Sequence, residues 1–256
     1  MKRIVFFDID GTLLDSNKLL PESTKTAINS LKESGAYVAI ATGRAPFMFK
    51  ELREELGIST FVSFNGQYVV LEGEVIKENK LSAEKLKELV MTGDRQGHPF
   101  IHMSSEEMKA NAKQHPLILE SFASLHFEHP PYDPNYYKHH KILQSLLFCE
   151  EKDEDQYVKQ FPEFDFVRWH RYSTDVLPRG GSKANGIREI VNQLGFSMEE
   201  VVAFGDGPND KEMLTEVGTG VVMGNASDEI KKCGAFVTAH VDENGVEKGL
   251  KRLGWI

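Results

Sequence analysis

The sequence predicts an α/β protein built on a doubly wound parallel sheet, with a second, α+β unit inserted into it. Two observations lead there. At both ends of the 256-residue chain, short continuous apolar runs alternate with amphipathic stretches, the pattern of parallel strands covered on both faces by crossover helices. Between them, residues 81–180 change character and hold eight of the nine histidines and seven of the ten prolines, a shift that marks an inserted unit. With 40% hydrophobic residues the chain can bury one large core or two modest ones.

Taken in order, residues 4–7 open as a buried strand. Residues 21–34 read as a helix, with Ala27, Ile28 and Leu31 on one side and Gly35 as its stop. A strand at 37–41 and a helix at 47–56, closed by Gly57, follow. The strand at 60–64 leads into Asn65-Gly66, a tight-turn signal, and then into a strand at 68–71. The middle segment predicts helices at 83–95, at 106–124 (interrupted near Pro116) and at 153–161. Its strands are expected at 100–103, 142–148, 164–170 and 174–177. The last segment returns to the first pattern: a helix at 184–194 stopped by Gly195, a strand at 201–204, a helix at 211–216, and short strands at 221–223 and 235–237. In such sheets ligands bind outside the carboxyl ends of the strands.

Composition narrows the function. A formal net charge of −9 argues against nucleic acid as partner, because such binders carry a basic face. A small phosphate stays open, since a metal and a few cations placed locally can bind it. No apolar run approaches the roughly 18 residues of a membrane span. The apolar run after Met1-Lys2-Arg3 ends at Asp8, too early for a secretory signal. Cys149 and Cys233 form no CxxC pair, so reduced thiols in a cytoplasmic protein are expected. The sequon Asn225-Ala226-Ser227 then reads as an accident.

The chemistry lies where strands end. The first runs into Asp8-Ile9-Asp10-Gly11-Thr12. Residues two apart on an extended chain point the same way, so Asp8 and Asp10 can address one site. Carboxylates that close repel, and a divalent cation is the usual remedy. A calcium loop from Asp8 would need Gly and Glu where Leu13 and Leu19 stand; an acidic surface turn is the plainer alternative. The second strand runs into Thr42-Gly43-Arg44, whose hydroxyl and backbone N–H groups suit a phosphate oxygen, although Thr-Gly also punctuates helix starts. The strand at 201–204 runs into Gly205-Asp206-Gly207-Pro208-Asn209-Asp210. Lys183 stands at a helix start, where a cation opposes the helix dipole. Pairing with carboxylates or phosphate would explain it; a solvated lysine is the commoner case. Three strands thus bring Asp/Asp, Thr-Gly and Asp/Asn/Asp to one sheet edge, which a shared site explains better than three unrelated turns.

Together these segments resemble the haloacid dehalogenase (HAD) superfamily, specifically its Cof-type phosphatases with a large inserted C2-type cap. Four motifs match in order: Asp8-Ile9-Asp10-Gly11-Thr12, Thr42-Gly43-Arg44, Lys183, and Gly205 to Asp210 with Glu212-Met213-Leu214 following. Asn65-Gly66 falls where this subgroup has such a pair. After Lys183 a small residue such as Gly is usual, and Ala184-Asn185 departs from that. The resemblance implies a Rossmann-like catalytic core at residues 1–80 and 181–256, and an α+β cap domain at 81–180 that sets substrate choice. It implies that Asp8 is the nucleophile, forming an aspartyl phosphate, and that Asp10 protonates the leaving oxygen and then activates water. Mg2+ would be held by Asp8, the Asp10 backbone carbonyl and Asp206, with Asp210 in support. Ile9, Thr42, Gly43, Lys183 and Asn209 are expected to bind the phosphoryl group. The implied reaction is Mg2+-dependent hydrolysis of a small phosphorylated metabolite, with sugar phosphates first and flavin mononucleotide, pyridoxal phosphate and nucleotides behind. No membrane or nucleic-acid partner is expected.

The same motifs would serve a phosphomutase or phosphotransferase. A non-catalytic phosphometabolite-binding protein would have lost Asp8 or Asp10, and both are present. Within 81–180, residues 129–140 are rich in turn formers, aromatics and cations and read as a surface connection that could instead touch a ligand. A zinc site from His126, His129, His139 and His140 lacks any compact ligand pattern.

Overall fold

Ile4–Phe7, strand β1, is apolar at every position because both its faces are covered, and the sheet grows outward from it. The computed structural model describes residues 3–125 and 127–256 and forms two compact units. The first comprises the chain up to Arg44, Met48–Lys77 and Ser182–Ile256; the second comprises Ala45–Phe47 and Glu78–Gly181.

In the first unit β1 is joined by β2 (Tyr37–Ala41), β3 (Phe61–Ser63), β4 (Tyr68–Leu71) and β5 (Glu74–Glu78) on one side. On the other lie β11 (Val201–Gly205), β12 (Thr219–Val222) and β13 (Phe236–Val237). From β13 through β3 every pairing is parallel; β4 then runs antiparallel to β3. The helices are α1 (Glu22–Glu33), α2 (Lys50–Leu56), α7 (Lys183–Leu194), α8 (Lys211–Glu216) and α9 (Gly245–Arg252). Ile187, Ile190 and Val191 of α7 and Met213 and Leu214 of α8 close a core with Ile4, Phe6 and Ala39. Alternate strand residues face the opposite way: Phe7 stacks on Phe204 at 4.9 Å, and Gly249 of α9 lies against that ring. The sheet is therefore wound on both faces. Gly57 and Gly195 end α2 and α7 in left-handed conformation, which glycine adopts without steric cost.

The second unit has its own sheet, ordered β7–β6–β8–β10–β9 and antiparallel throughout. These strands are β6 (Phe100–Met103), β7 (Met108–Ala110), β8 (Gln144–Phe148), β9 (Phe164–His170) and β10 (Ser173–Pro178). Its helices are α3 (Ala83–Gln96), α4 (Pro116–Ala123), α5 (Tyr136–His139) and α6 (Glu151–Gln160). Leu86, Leu89, Tyr136, Tyr137 and Tyr157 pack with Phe100, Leu147 and Val176 in a separate core.

Two sequence expectations need correction. The helix expected at 106–124 exists only from Pro116 onward, because 108–110 pair with β6 as a strand. Between them the Asn111 side chain accepts the Phe100 N–H at 2.6 Å, and Gln114 takes a φ of 47°, neither compatible with a continuing helix. Residues 129–140 are also more than a surface connection, since Tyr136 and Tyr137 are buried. Of the four histidines weighed for zinc, His126 lies outside the described residues. Among the described residues no helix is long and apolar enough to cross a membrane.

Candidate active site

The carboxyl ends of β1, β2 and β11, three adjacent strands, supply the site. Asp8 follows β1 and its N–H donates to the Phe204 carbonyl of β11 at 2.9 Å. Beyond it the chain leaves the extended form: the N–H groups of Thr12 and Leu14 both return to the Ile9 carbonyl. Asp8 and Asp10 consequently face different partners. Ile9 has a fully buried side chain, so only its backbone can meet a phosphate.

Lys183 opens α7 behind the N-cap Ser182 and is completely buried. Its Nζ donates to Asp8 Oδ1 and to Asp210 Oδ1, both at 2.6 Å. This close docking depends on Gly66, whose φ is 94°; a Cβ there would lie 2.0 Å from the Ser182 carbonyl oxygen. The second Asp210 oxygen accepts the N–H groups of Asp206 and Gly207 at 2.9 and 2.8 Å. Asp210 thus shapes the loop after β11 while sharing the lysine.

Asp206 accepts from Thr12 Oγ1 at 3.3 Å and from Asn225 Nδ2 at 2.9 Å. Asn225 also donates to the Gly11 carbonyl at 2.8 Å and accepts the Val241 N–H at 3.0 Å. It ties together the loops after β1, β11 and β12. Sequence reasoning dismissed this residue as part of a chance sequon. Its place just beyond a strand's carboxyl end was the signal available.

Thr42 is buried and its Oγ1 accepts the Arg44 N–H at 3.1 Å. Asn65, in left-handed conformation at φ 50°, lies beside Gly43 and accepts from Asn209 Nδ2 at 3.1 Å. Thr42, Gly43 and Asn209 are therefore linked through Asn65. Asp10 is held elsewhere: Arg44 Nε donates to its Oδ2 at 2.8 Å, while Arg44 Nη2 and Lys18 Nζ donate to its Oδ1 at 2.7 and 2.6 Å.

Carboxylate oxygens of Asp8, Asp206 and Asp210 lie within 4.8 Å of one another, the one such group of possible metal ligands among the described residues. The Asp10 side chain is not in it. Three carboxylates here face a single ammonium. Burial, then the charge of Asp210, pushes Asp8 up to about 8 although Lys183 pulls it down. Burial and Asp210 likewise raise Asp206 to about 6. Burial works to lower Lys183, but the charges of Asp210 and Asp8 outweigh it and raise its pKa. Asp10 moves the other way: burial would raise it, yet Arg44 and Lys18 hold it at about 2. An excess of buried negative charge in an all-oxygen set fits a hard divalent cation.

Known proteins share this architecture. A family model for haloacid dehalogenase-like hydrolases matches residues 5–250. "Putative phosphatase YkrA" of Bacillus subtilis (strain 168) is 47% identical over 252 residues, 98% of either chain. A solved structure from Geobacillus kaustophilus HTA426 is 56% identical, with a TM-score of 0.97 and full coverage of both chains. The structure of BT4131, described as a HAD subclass IIB sugar phosphatase, is 30% identical with a TM-score of 0.86, again over both full chains. Motifs, sheet order and these likenesses agree: the chain belongs to the haloacid dehalogenase-like hydrolases, as a Cof-type phosphatase acting on phosphoric monoesters.

Proposed function

We propose that this protein hydrolyses small phosphomonoesters, sugar phosphates foremost, with Mg2+ and through an aspartyl phosphate on Asp8. One observation carries the reading. Asp8 is buried at the end of β1, with Oδ1 fixed by Lys183 and Oδ2 engaged by no donor among the described residues. A carboxylate held in that way is aimed as a nucleophile.

Asp8, Asp206 and the Asp10 carbonyl would hold Mg2+, which when bound neutralises charge on the phosphoryl oxygens and on the carboxylates around them. Lys183 orients Asp8 and offers positive charge to the phosphoryl group. Thr42, the backbone of Ile9 and Gly43, and Asn209 would bind its remaining oxygens, where charge spreads during transfer. Asp10 would give a proton to the leaving oxygen and take one from the water that cleaves the aspartyl phosphate, which requires it to leave the Arg44 and Lys18 cations that hold it ionised. Asp210 fixes the Asp206 loop. Residues 78–181 would set the choice of ester, as a cap does in this family. The sugar-phosphate preference rests on the likeness to BT4131 over its full length.

The test is phosphate release from a panel of phosphomonoesters, p-nitrophenyl phosphate included, with Mg2+, with chelator and with Asp8→Asn. Release that requires Mg2+ and disappears in the variant is expected. Transfer of the phosphoryl group to an organic acceptor, with none released, would make the protein a phosphotransferase instead.

A further inference from the structure

The connection between β3 and β4 is strained where an ordinary turn would not be. Ser63 pairs with Tyr68, which leaves four residues, 64–67, between the strands. Loops of that length are most often built around a type I turn, whose central residues have negative φ. Here Phe64, Asn65 and Gly66 take φ values of 49°, 50° and 94° in succession. Asparagine tolerates this conformation, but a phenylalanine rarely adopts it. Backbone strain of this kind persists where the surroundings over-determine it, commonly at functional sites.

The strained turn is fastened to the loop after β2. The Asn65 N–H donates to the Thr42 carbonyl at 3.1 Å, and the Phe64 N–H and the Ser63 hydroxyl both donate to the Arg44 carbonyl, at 3.3 and 2.5 Å. The Asn65 side chain is thereby set beside Gly43, and its Oδ1 accepts from Asn209 Nδ2 at 3.1 Å. β3 and β11 are separated in the sheet by β2 and β1, so this one bond spans the strands whose ends carry Thr42 and Asp8. A turn made only to reverse the chain has no use for a partner 144 residues away. An amide oxygen can only accept. Asn65 Oδ1 therefore engages Asn209 by its nitrogen end, and the second N–H of that nitrogen is left to donate elsewhere.

We propose that Asn65 is a positioning residue for the phosphatase reaction, presenting the amide nitrogen of Asn209, and not its oxygen, to the phosphoryl group. This rests on the phosphoryl-binding roles proposed for Thr42, Gly43 and Asn209. The two ends of an amide are nearly alike in shape and opposite in polarity. Turned the other way, the Asn209 oxygen would face the phosphoryl oxygens and repel the charge that spreads over them during transfer. Asn65 fixes the choice. Because its own N–H is bonded to the Thr42 carbonyl, it also ties Asn209 to the Thr42-Gly43 turn. A bound ester then meets donors already arranged, and no side chain has to be turned as charge develops.

Asn65→Gly removes the acceptor, keeps the N–H that bonds to Thr42, and places at φ 50° a residue at ease there, so the fold should survive. A double-mutant cycle with Asn209→Ala reads the coupling. The experiment measures kcat and KM for p-nitrophenyl phosphate and phenyl phosphate, with Mg2+, in the wild type, both single variants and the double variant. It also measures how much inorganic phosphate is needed to raise the melting temperature of each. A misplacement of about 1 Å costs up to about 10²-fold, so Asn65→Gly is expected to lose about tenfold in kcat/KM, equally on both esters because they share the phosphoryl group. The double variant is expected to lose no more than Asn209→Ala alone. All three variants should need more phosphate for the same thermal shift, which a merely structural role for Asn65 would not produce. Losses that multiply in the double variant would overturn the proposal, as would wild-type kinetics in Asn65→Gly beside an impaired Asn209→Ala. Wild-type kinetics in Asn209→Ala would instead remove the phosphoryl-binding role of Asn209 and the proposal with it. A wild type that releases phosphate from neither ester would take down the phosphatase reading itself, a result distinct from the others.

Discussion

At Lys183 a full positive charge sits in the interior between Asp8 and Asp210. Its long side chain lets one ammonium reach both carboxylates, at 2.6 Å each. Removing one partner of a buried ion pair leaves an uncompensated charge and destabilises by roughly 3–5 kcal/mol. Lys183→Met should therefore lower the unfolding free energy measured in urea at neutral pH by an amount in that range, as well as abolish phosphate release. Asn225 predicts a milder phenotype. Groups that orient metal-binding carboxylates are worth on the order of 10–100-fold in metal affinity or activity. Asn225→Ala should raise the Mg2+ concentration needed for half-maximal phosphate release within that range. An unchanged Mg2+ requirement would show that the Asn225 bridge does not orient Asp206.

The strands of the first unit could be read from sequence because both their faces are covered: 4–7, 37–41 and 68–71 match the observed elements at both ends. Glu74–Glu78 could not, being an edge strand with polar, largely exposed residues. Gly245–Arg252 hides as a helix because two glycines interrupt its pattern, and these let it pack closely against Ala239 and Phe204. The site divides in the same way. Asp8, Lys183, Asp206 and Asp210 stand at strand and helix ends that motif spacing reveals. Arg44 and Asn225 act through partners distant in sequence, which no local pattern encodes. Gly66 joins the two levels, since it turns β3 into β4 and also admits the start of α7. Any side chain there meets the Ser182 carbonyl at a disfavoured φ. Gly66→Ala should destabilise by more than about 2 kcal/mol in urea unfolding and reduce phosphate release together with it, by displacing Lys183.

The two units have separate cores, so thermal unfolding need not be a single two-state event. Their responses should differ. A divalent cation that bound only the native first unit would stabilise it by about 2.7 kcal/mol at a hundredfold excess over the dissociation constant; with Mg2+ as the proposed ion, Asp206→Ala should erase that shift. The second unit should answer to pH. Burial holds His102 near 3, below its ordinary 6.5. The unfolded chain therefore binds the proton first, and acidification below about 6.5 costs the folded unit about 1.4 kcal/mol per pH unit. Asp175 opposes this: burial raises it to about 7 from 3.8, against hydrogen bonds from Trp169 and Gln144. Its contribution is present below 3.8 and is lost as pH rises through 7. In the wild type the two slopes offset one another between those limits. Asp175→Asn should leave the His102 slope alone, so that its melting temperature falls more steeply on acidification from pH 6.5 to 4 than the wild type's does.

β1 lies between β2, which follows it after one helix, and β11, which begins at Val201. During synthesis the first strand therefore waits, with one edge unpaired, until nearly four-fifths of the chain has been made. Pairings this remote in sequence close slowly, and an apolar strand left open in the meantime can recruit the same edge of another chain. Asp8 sits at the tip of that strand and cannot meet Lys183 and Asp206 before the C-terminal segment returns. A nascent or truncated chain is thus exposed to aggregation while it has no means of attacking phosphate, and catalytic competence arrives in the same event that closes the sheet.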